Sequence, residues 1–260
     1  MIAPARKAIS VAKAREVLQE LRIEAPSEIN PEEIAIQKGA YVQEAPLDGM
    51  DGNIVREGNR AVITVNSRLS YPHQKRYVIA HEIGHFLLHP HALQDAVDAK
   101  QSTEWSENQA TEEYEANLFA AELLMPTNMF APKTKGVIPS LDLIERLSAE
   151  FQTTLTATAV QFVLNTDEEC FLISSANRQR LWFIASRNRS FSLLEDGYIH
   201  GHSCAYEVGP EKLKSHCSTI EAACWLEGFR GNHKAYITED ARYFRQLKKT
   251  LSLLWIHDVI

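Results

Sequence analysis

Long apolar runs are missing from this chain of 260 residues, and with them the signals for membrane insertion or export. No stretch approaches the roughly 18 to 20 apolar residues that a membrane-spanning helix needs. The first 23 residues mix charges into a helical pattern and lack the apolar centre of a signal peptide. We therefore expect a cytoplasmic protein that has no membrane partner.

Cysteine is also scarce, and its spacing argues against the common cysteine-based zinc motifs. All four cysteines lie at or after residue 170, and no two of them have the two-residue separation of a zinc knuckle. We expect them to be reduced thiols in the protein interior. These residues are Cys170, Cys204, Cys217 and Cys224.

A surplus of positive charge is the third missing feature. The net charge is −7, and residues 166–260 carry twelve basic and twelve acidic side chains, so the whole acidic excess lies in residues 1–165. An acidic front part disfavours broad electrostatic binding to nucleic acid. Direct DNA binding is therefore not expected to be the primary role.

The patterns that are present predict an α+β fold. Apolar and polar residues alternate on both sides of "EGNR", which indicates a hairpin of two strands. By analogy with peptidases, the second of these strands, "AVITVN" at 61–66, could be an edge strand that pairs with an extended peptide; the alternative is an ordinary sheet strand. Helical periodicity predicts helices at 12–22, within 26–40, at 74–88 and at about 107–125, with a polar loop at 91–106.

Three regions follow from these patterns: 1–135, a helical segment at 136–165 and a separate α+β domain at 166–260. In the helical segment, the sequence pattern predicts two short helices with the spacing of a helix-turn-helix. Its second helix has no lysine or arginine, so a hairpin that packs on its neighbours is favoured over a DNA reader. In the last region we predict four strands, "CFLISS", "RLWFIAS", "AYIT" and "SLLWI", and one helix, "STIEAACWLEGF".

The segment "AHEIGHFLLHP" at 80–90 places polar side chains in an otherwise apolar helix. His81 and His85 are four residues apart, so on a helix they project from one face and can bind a single metal ion. Glu82 is rotated by about 100° from the first histidine. It could therefore lie beside the metal without binding it, and hold and deprotonate a water molecule there.

A catalytic zinc needs a third protein ligand, and the helix "ENQATEEYEANLFAAELLMP" offers four glutamates. A helical wheel puts Glu113 at the centre of the apolar face, whereas Glu115 and Glu122 fall on the opposite, polar side. A carboxylate on the apolar face is expensive unless it meets a metal, so Glu113 is the predicted third ligand. Asn117, one turn further on, is a candidate to support Glu113 or a histidine.

Two more histidines flank the end of the motif helix. His89 and His91 could compete as ligands, but Pro90 disturbs the helix at this point. The simpler interpretation is that these imidazoles interact with the negative end of the helix dipole.

The segments "ITVNSRLSYPHQKRYVIAHEIGHFLLHP" and "EEYEANLFAAELLMP" resemble the ImmA/IrrE family of zinc metallopeptidases over roughly residues 10–165. The resemblance implies His81, His85 and Glu113 as metal ligands and Glu82 as the catalytic glutamate, the same four residues that helical geometry selects. It also implies a minimal thermolysin-like, or zincin-like, core that a helix-turn-helix-like segment follows. Some relatives carry a C-terminal sensor-like domain of GAF type.

Members of this family cleave a partner transcriptional repressor, often of the Xre type, and so release genes of a stress response or a mobile element. We therefore predict a zinc-dependent endopeptidase that acts on a regulatory protein. Zinc is favoured by ligand type, although Mn²⁺ or another divalent ion would also fit two histidines and a carboxylate. The alternative is a non-catalytic regulatory module that binds DNA or protein and has a structural or unused metal site.

Overall fold

The computed structural model describes residues 4–89, 111–229, 235–245 and 247–257. Helices and two separate sheets make up the chain, which confirms the predicted α+β class. The polar loop predicted at 91–106, and His91 with it, lie outside the described residues. None of the helices in the described ranges is long and apolar enough to cross a membrane.

The chain divides into two compact units. The first contains residues 1–130 and 147–158, and the second contains 131–146 and 159–260. The main elements of the first unit are α1 (Pro4–Glu20), α2 (Pro31–Gln37), β1 (Ala40–Ala45), β2 (Gly52–Glu57), β3 (Arg60–Asn66), α3 (Pro72–Leu88), α4 (Thr111–Leu124) and α5 (Thr127–Phe130).

The local sequence explains where these helices begin and end. Asn30 caps α2 by accepting a hydrogen bond from the Glu32 amide, and Pro31 occupies the first helical position. Pro72 likewise begins α3. The α3 helix ends before His89, whose backbone N–H donates to the His85 carbonyl at 3.0 Å.

The three-stranded sheet has the order β1-β3-β2, with β1 parallel and β2 antiparallel to β3. The predicted hairpin around "EGNR" is the β2–β3 pair, in which Glu57 lies opposite Arg60. Because β3 is the central strand, the edge-strand interpretation of residues 61–66 is wrong and the ordinary sheet strand is confirmed. In the chain, β2 lies between β3 and its parallel partner β1. Pairing between segments so far apart leaves no local signal in the sequence.

Helix α4 is buried on almost every side in the described residues 115–124. Glu115 and Glu122, which the wheel placed on a polar face, are buried, so this part of the prediction is wrong. The physical reason is a pair of arginines on α1. Arg6 lies 3.4 Å from Glu115, and Arg15 lies 2.7 Å from Glu122.

The helical segment forms the predicted pair, α6 (Leu141–Glu150) and α7 (Leu155–Asn165). Residues 157–163 of α7 are buried without a break. A recognition helix must expose the face that reads DNA, so this burial disfavours α7 as a DNA reader.

The second unit contains a five-stranded antiparallel sheet of order β5-β4-β8-β7-β6 and a short helix. Its elements are β4 (Glu169–Ala176), β5 (Gln179–Ala185), α8 (Cys204–Glu207), β6 (Ser215–Glu221), β7 (Tyr236–Phe244) and β8 (Lys249–Ile256). All four strands that we predicted for this region correspond to observed strands, β4, β5, β7 and β8, and two of the predictions extend one residue too far.

The prediction of a helix at 218–229 is wrong. Strand β6 occupies its first four residues, and a single 3-10 turn follows at Ala222–Cys224. Thr219 and Ile220 are β-branched, and pairing with β7 supplies the backbone hydrogen bonds that a helix would have formed internally.

Glu239 on β7 is fully buried in the second unit. Its carboxylate accepts hydrogen bonds from the backbone N–H groups of Cys204 and Ala205 at 2.8 and 2.9 Å, and from the Trp225 indole at 2.9 Å. Burial raises the pKa of Glu239, and these hydrogen bonds oppose the rise. The acid thus joins the start of α8 to the sheet.

Candidate metal centre

Helix α3 carries the motif residues into the interior of the first unit. His81, Glu82 and His85 are all buried, with 0%, 2% and 3% of their surface exposed. The apolar residues around them force this burial, since Ile79, Ile83 and Phe86 are buried on the same helix. Three ionisable side chains are thus held away from water, which is costly unless each finds a partner.

Helix α4 brings Glu113 to the two histidines. Gly84 allows the close approach of the helices, because a Cβ atom there would lie 3.1 Å from Ala116 Cα and 3.1 Å from Phe119 Cδ1. A larger residue at position 84 would require Ala116 or Phe119 to shift by a few tenths of an ångström. The glycine between the two histidines therefore favours close packing of α3 and α4.

The three predicted ligands form a tight triangle of donor atoms. His81 Nε2 and His85 Nε2 are 3.0 Å apart, and each lies 3.2 Å from an oxygen of Glu113. Ligands bound at about 2.0–2.1 Å in a tetrahedron are about 3.3 Å from one another, so the triangle matches a tetrahedral ion. Among the described residues, these three side chains are the one group of histidines, cysteines and acids that could hold a metal ion.

Asn117 and Tyr77 set the orientation of His81. The Nδ1 atom of His81 lies 2.9 Å from Asn117 Oδ1, which also accepts a hydrogen bond from the Tyr77 hydroxyl at 3.0 Å. A carbonyl oxygen can only accept, so His81 Nδ1 is the donor. In its neutral form the ring then presents a bare lone pair at Nε2, toward the centre of the triangle.

His85 has a different set of partners on the far side of its ring. Its Nδ1 atom lies 3.3 Å from His89 Nδ1, and His89 Nε2 lies 2.9 Å from Glu115 Oε2. Sequence reasoning missed this connection. The signal was the third histidine of "HEIGHFLLH", but its partner Glu115 is 26 residues away, and the wheel had placed Glu115 on a polar face.

The charge of Glu113 is stabilised by the two histidines. Burial raises the pKa of Glu113, but hydrogen bonds and charge from His81 and His85 outweigh burial and hold the pKa well below its usual value. Glu113 is therefore an anion, and the two Nε2 atoms that donate to it are the atoms that neutral histidines would offer to a metal ion. Such a group of donors attracts a cation.

Glu82 is beside the triangle and is not part of it. Its Oε1 atom is buried and has no hydrogen-bond partner among the described residues. Burial raises the pKa of Glu82 to about 7, while the charge of His85 opposes this rise and that of Glu113 adds to it. Gly52 at the start of β2 packs against this carboxylate, because a Cβ atom there would lie 3.3 Å from Glu82 Oε1.

Comparison with known proteins agrees with this geometry. Residues 35–162 match the family model for the IrrE N-terminal-like domain, Peptidase_M78. Residues 35–162 are thus similar to an IrrE N-terminal-like domain. This finding confirms the family resemblance, and the match covers β1, β2 and β3 together with α3 and α4, the two helices that carry the triangle.

Beyond this domain, the comparisons bear on the fold alone. The chain is similar to a solved structure described as a Mycobacterium tuberculosis transcriptional regulator, with a TM-score of 0.58 and 13% sequence identity. The alignment covers 95% of this chain and 87% of that one. A search of curated proteins finds no match.

Proposed function

We propose that this protein is a zinc-dependent endopeptidase that cleaves a regulatory protein. The proposal rests on one observation. Three side chains that could bind a metal lie together, and beside them Glu82 has a buried oxygen that has no hydrogen-bond partner among the described residues. A purely structural metal site has no use for such an acid, whereas hydrolysis needs a base beside the metal. Membership of a peptidase family in residues 35–162 supports the same chemistry.

In this proposal His81, His85 and Glu113 hold the metal. When bound there, a divalent ion polarises the scissile carbonyl and makes water a stronger acid. Glu82 orients a water molecule through its free oxygen, accepts the proton and passes it to the leaving amine. A pKa of about 7 suits both steps, because the same group must take up and release a proton near neutral pH.

Zinc is the proposed ion. Two imidazoles and one carboxylate form a donor set that zinc enzymes use with an open fourth position. Mn²⁺ or another divalent ion would also fit these donors.

We propose that the substrate binds as an extended peptide along β2. This strand pairs with β3 on one side and has no strand partner on its other side among the described residues. Its first residue, Gly52, packs against Glu82. An added strand at this edge would carry its peptide bonds past the catalytic glutamate.

The proposed substrate is a transcriptional repressor of the Xre type that controls a stress response or a mobile element. The similar solved structure is itself described as a transcriptional regulator. Burial of residues 157–163 in α7 supports action on a partner protein in preference to direct DNA binding. We further propose the division into a peptidase domain at 1–135, a helical segment at 136–165 and a sensor-like domain at 166–260.

Mapping of new protein amino termini across the proteome tests the proposal, because it detects a cleaved protein whatever its identity. Cells that express the wild-type chain are compared with cells that express Glu82→Gln. Glu112→Gln is the matched control, since Glu112 is an exposed acid next to Glu113 on α4. We expect one or a few new termini, in a repressor, with the wild-type and control chains and none with Glu82→Gln.

The non-catalytic alternative predicts a different result. A regulatory binding module would change gene expression equally well with glutamine at position 82, and no new termini would depend on that residue. Equal termini from the wild-type and Glu82→Gln chains would contradict the peptidase proposal.

A further inference from the structure

The two histidines of the triangle are held by partners of different chemistry. His81 donates to the neutral amide of Asn117, whereas His85 contacts a second histidine that reaches a carboxylate. His89 is 8% exposed and Glu115 is 8% exposed, so both lie in the interior. Neither residue belongs to the triangle itself.

His85, His89 and Glu115 form a path of hydrogen bonds. The carboxylate of Glu115 at its end sets the direction of each bond. Glu115 is an acceptor, so His89 Nε2 donates to it at 2.9 Å. In its neutral form His89 then has a lone pair at Nδ1, which can accept from His85 Nδ1 at 3.3 Å. With its proton at Nδ1, the ring of His85 presents a lone pair at Nε2, the atom that faces His81 and Glu113.

The path ends at the surface of α1. Arg6 Nη1 lies 3.4 Å from the second oxygen of Glu115. The arginine thus faces the carboxylate at the end of the path, and residues from α1, α4 and the end of α3 contribute to the orientation of one ligand.

We propose that His89 and Glu115 are positioning residues that fix the tautomer and orientation of His85, and that His89 is not itself a ligand. The His89 Nδ1 atom contacts the Nδ1 side of His85, whereas the donor triangle is on its Nε2 side. Partners of this kind orient ligand histidines and raise their basicity. The inference rests on the proposed metal site, and it assigns the third histidine of "HEIGHFLLH" a role that helix position alone does not give.

The chain offers a matched control for this proposal. Glu122 is also a buried glutamate of α4 that meets an arginine of α1, Arg15, but its other hydrogen bonds go to Thr127. Glu115→Ala and Glu122→Ala therefore remove similar α1–α4 ion pairs. Only the first of these substitutions interrupts the path to His85.

The test measures the zinc affinity of the full chain by competition with a chromophoric chelator. We expect His89→Leu to weaken zinc binding by about 10- to 100-fold and Glu115→Ala by about 10-fold. His89→Gln should recover much of the loss, because its amide oxygen can accept from His85 while its NH₂ group donates to Glu115. Glu122→Ala should bind zinc like the wild type, even if it lowers thermal stability.

A spectroscopic measurement separates positioning from a general effect on folding. Nitrogen-15 NMR of the zinc-loaded wild-type chain should show His85 protonated at Nδ1 and His89 protonated at Nε2. In the zinc-loaded Glu115→Ala variant, His89 should lose its single tautomer. In Glu122→Ala both signals should stay unchanged.

Two results would overturn the inference. Wild-type affinity in both His89→Leu and Glu115→Ala would mean that the path does not act on His85. Complete loss of zinc in His89→Leu, without recovery in His89→Gln, would mean that His89 is a ligand. Failure of the proposed function is distinct from both, because the wild-type chain would then take up no zinc.

Discussion

Each of the two compact units buries a glutamate, and the two carboxylates have opposite surroundings. Glu239 in the second unit accepts hydrogen bonds from two backbone N–H groups and from the Trp225 indole. Glu82 in the first unit has a buried Oε1 atom with no hydrogen-bond partner among the described residues. Burial raises the pKa of both groups.

The difference separates a structural acid from a reactive one. A buried carboxylate that has its hydrogen bonds satisfied contributes to stability, whereas one that lacks them costs free energy until a partner arrives. In the proposed function, the partner of Glu82 is a water molecule or substrate beside the metal. If this comparison is sound, substitutions at the two positions should affect different properties of the protein.

Turnover is where we expect the largest effect. Glu82→Gln should reduce cleavage of the proposed substrate by about 10²- to 10⁴-fold, because the amide cannot accept the proton of the attacking water. Rates of appearance of the new amino terminus measure this loss. Glu239→Gln should leave the rate unchanged, and an equal loss in both variants would break the comparison.

The free energy of unfolding should depend on pH, because a charge on buried Glu82 destabilises the folded state. Its folded-state pKa of about 7 lies above the ordinary value of 4.5. The folded state therefore binds the proton more tightly, and the stabilisation from the protonated acid, on the order of 3 kcal/mol, is lost as pH rises from about 4.5 to 7. Urea unfolding of the metal-free chain at pH 5 and pH 8 should show this decline.

Glu82→Gln is the reference for that measurement. The variant should lose less stability than the wild type between the two pH values, because its amide does not ionise. A wild-type chain whose decline equals that of the variant would contradict the raised pKa.

Removal of the Glu239 charge should destabilise the second unit. In Glu239→Gln an NH₂ group or a weaker acceptor faces three N–H donors, and we expect a loss of about 2 kcal/mol in the free energy of unfolding. Tryptophan fluorescence can follow this transition, since Trp225 is one of the donors. Zinc content should not change, and unaltered stability would show that the hydrogen bonds of Glu239 contribute little.

The smallest predicted effect concerns the distance between α3 and α4. Gly84→Ala should lower the free energy of unfolding by about 1 kcal/mol, because the added methyl group would lie 3.1 Å from Ala116 Cα. Thermal melting measures it. Gly201→Ala is a suitable control, as nothing among the described residues lies within 4 Å of a Cβ atom there.

The metal-site prediction drew on information that is local in sequence. The spacing of His81 and His85 places them on one face of any helix, so their proximity did not depend on the rest of the fold. Glu113 could be selected because an acid on an apolar helix face needs a special partner. The structure brings these three side chains together, while their roles in catalysis stay a prediction.

The features that the sequence did not reveal all depend on distant segments. Glu115 looked exposed because Arg6, its partner, is more than a hundred residues away. Strand β3 looked like an edge because its parallel neighbour β1 is not adjacent in the chain. The segment at 218–229 looked helical because the strand that pairs with its first four residues, β7, follows later.

Metal content is the measurement that tests the central claim most directly. Elemental mass spectrometry after mild dialysis should find about one zinc ion per wild-type chain and a clear loss in Glu113→Ala. Glu112→Ala, which removes the exposed neighbouring acid, should retain the wild-type content. A folded wild-type chain that takes up no zinc when supplied with it, or a Glu113→Ala variant that keeps its full content, would contradict the proposed metal centre.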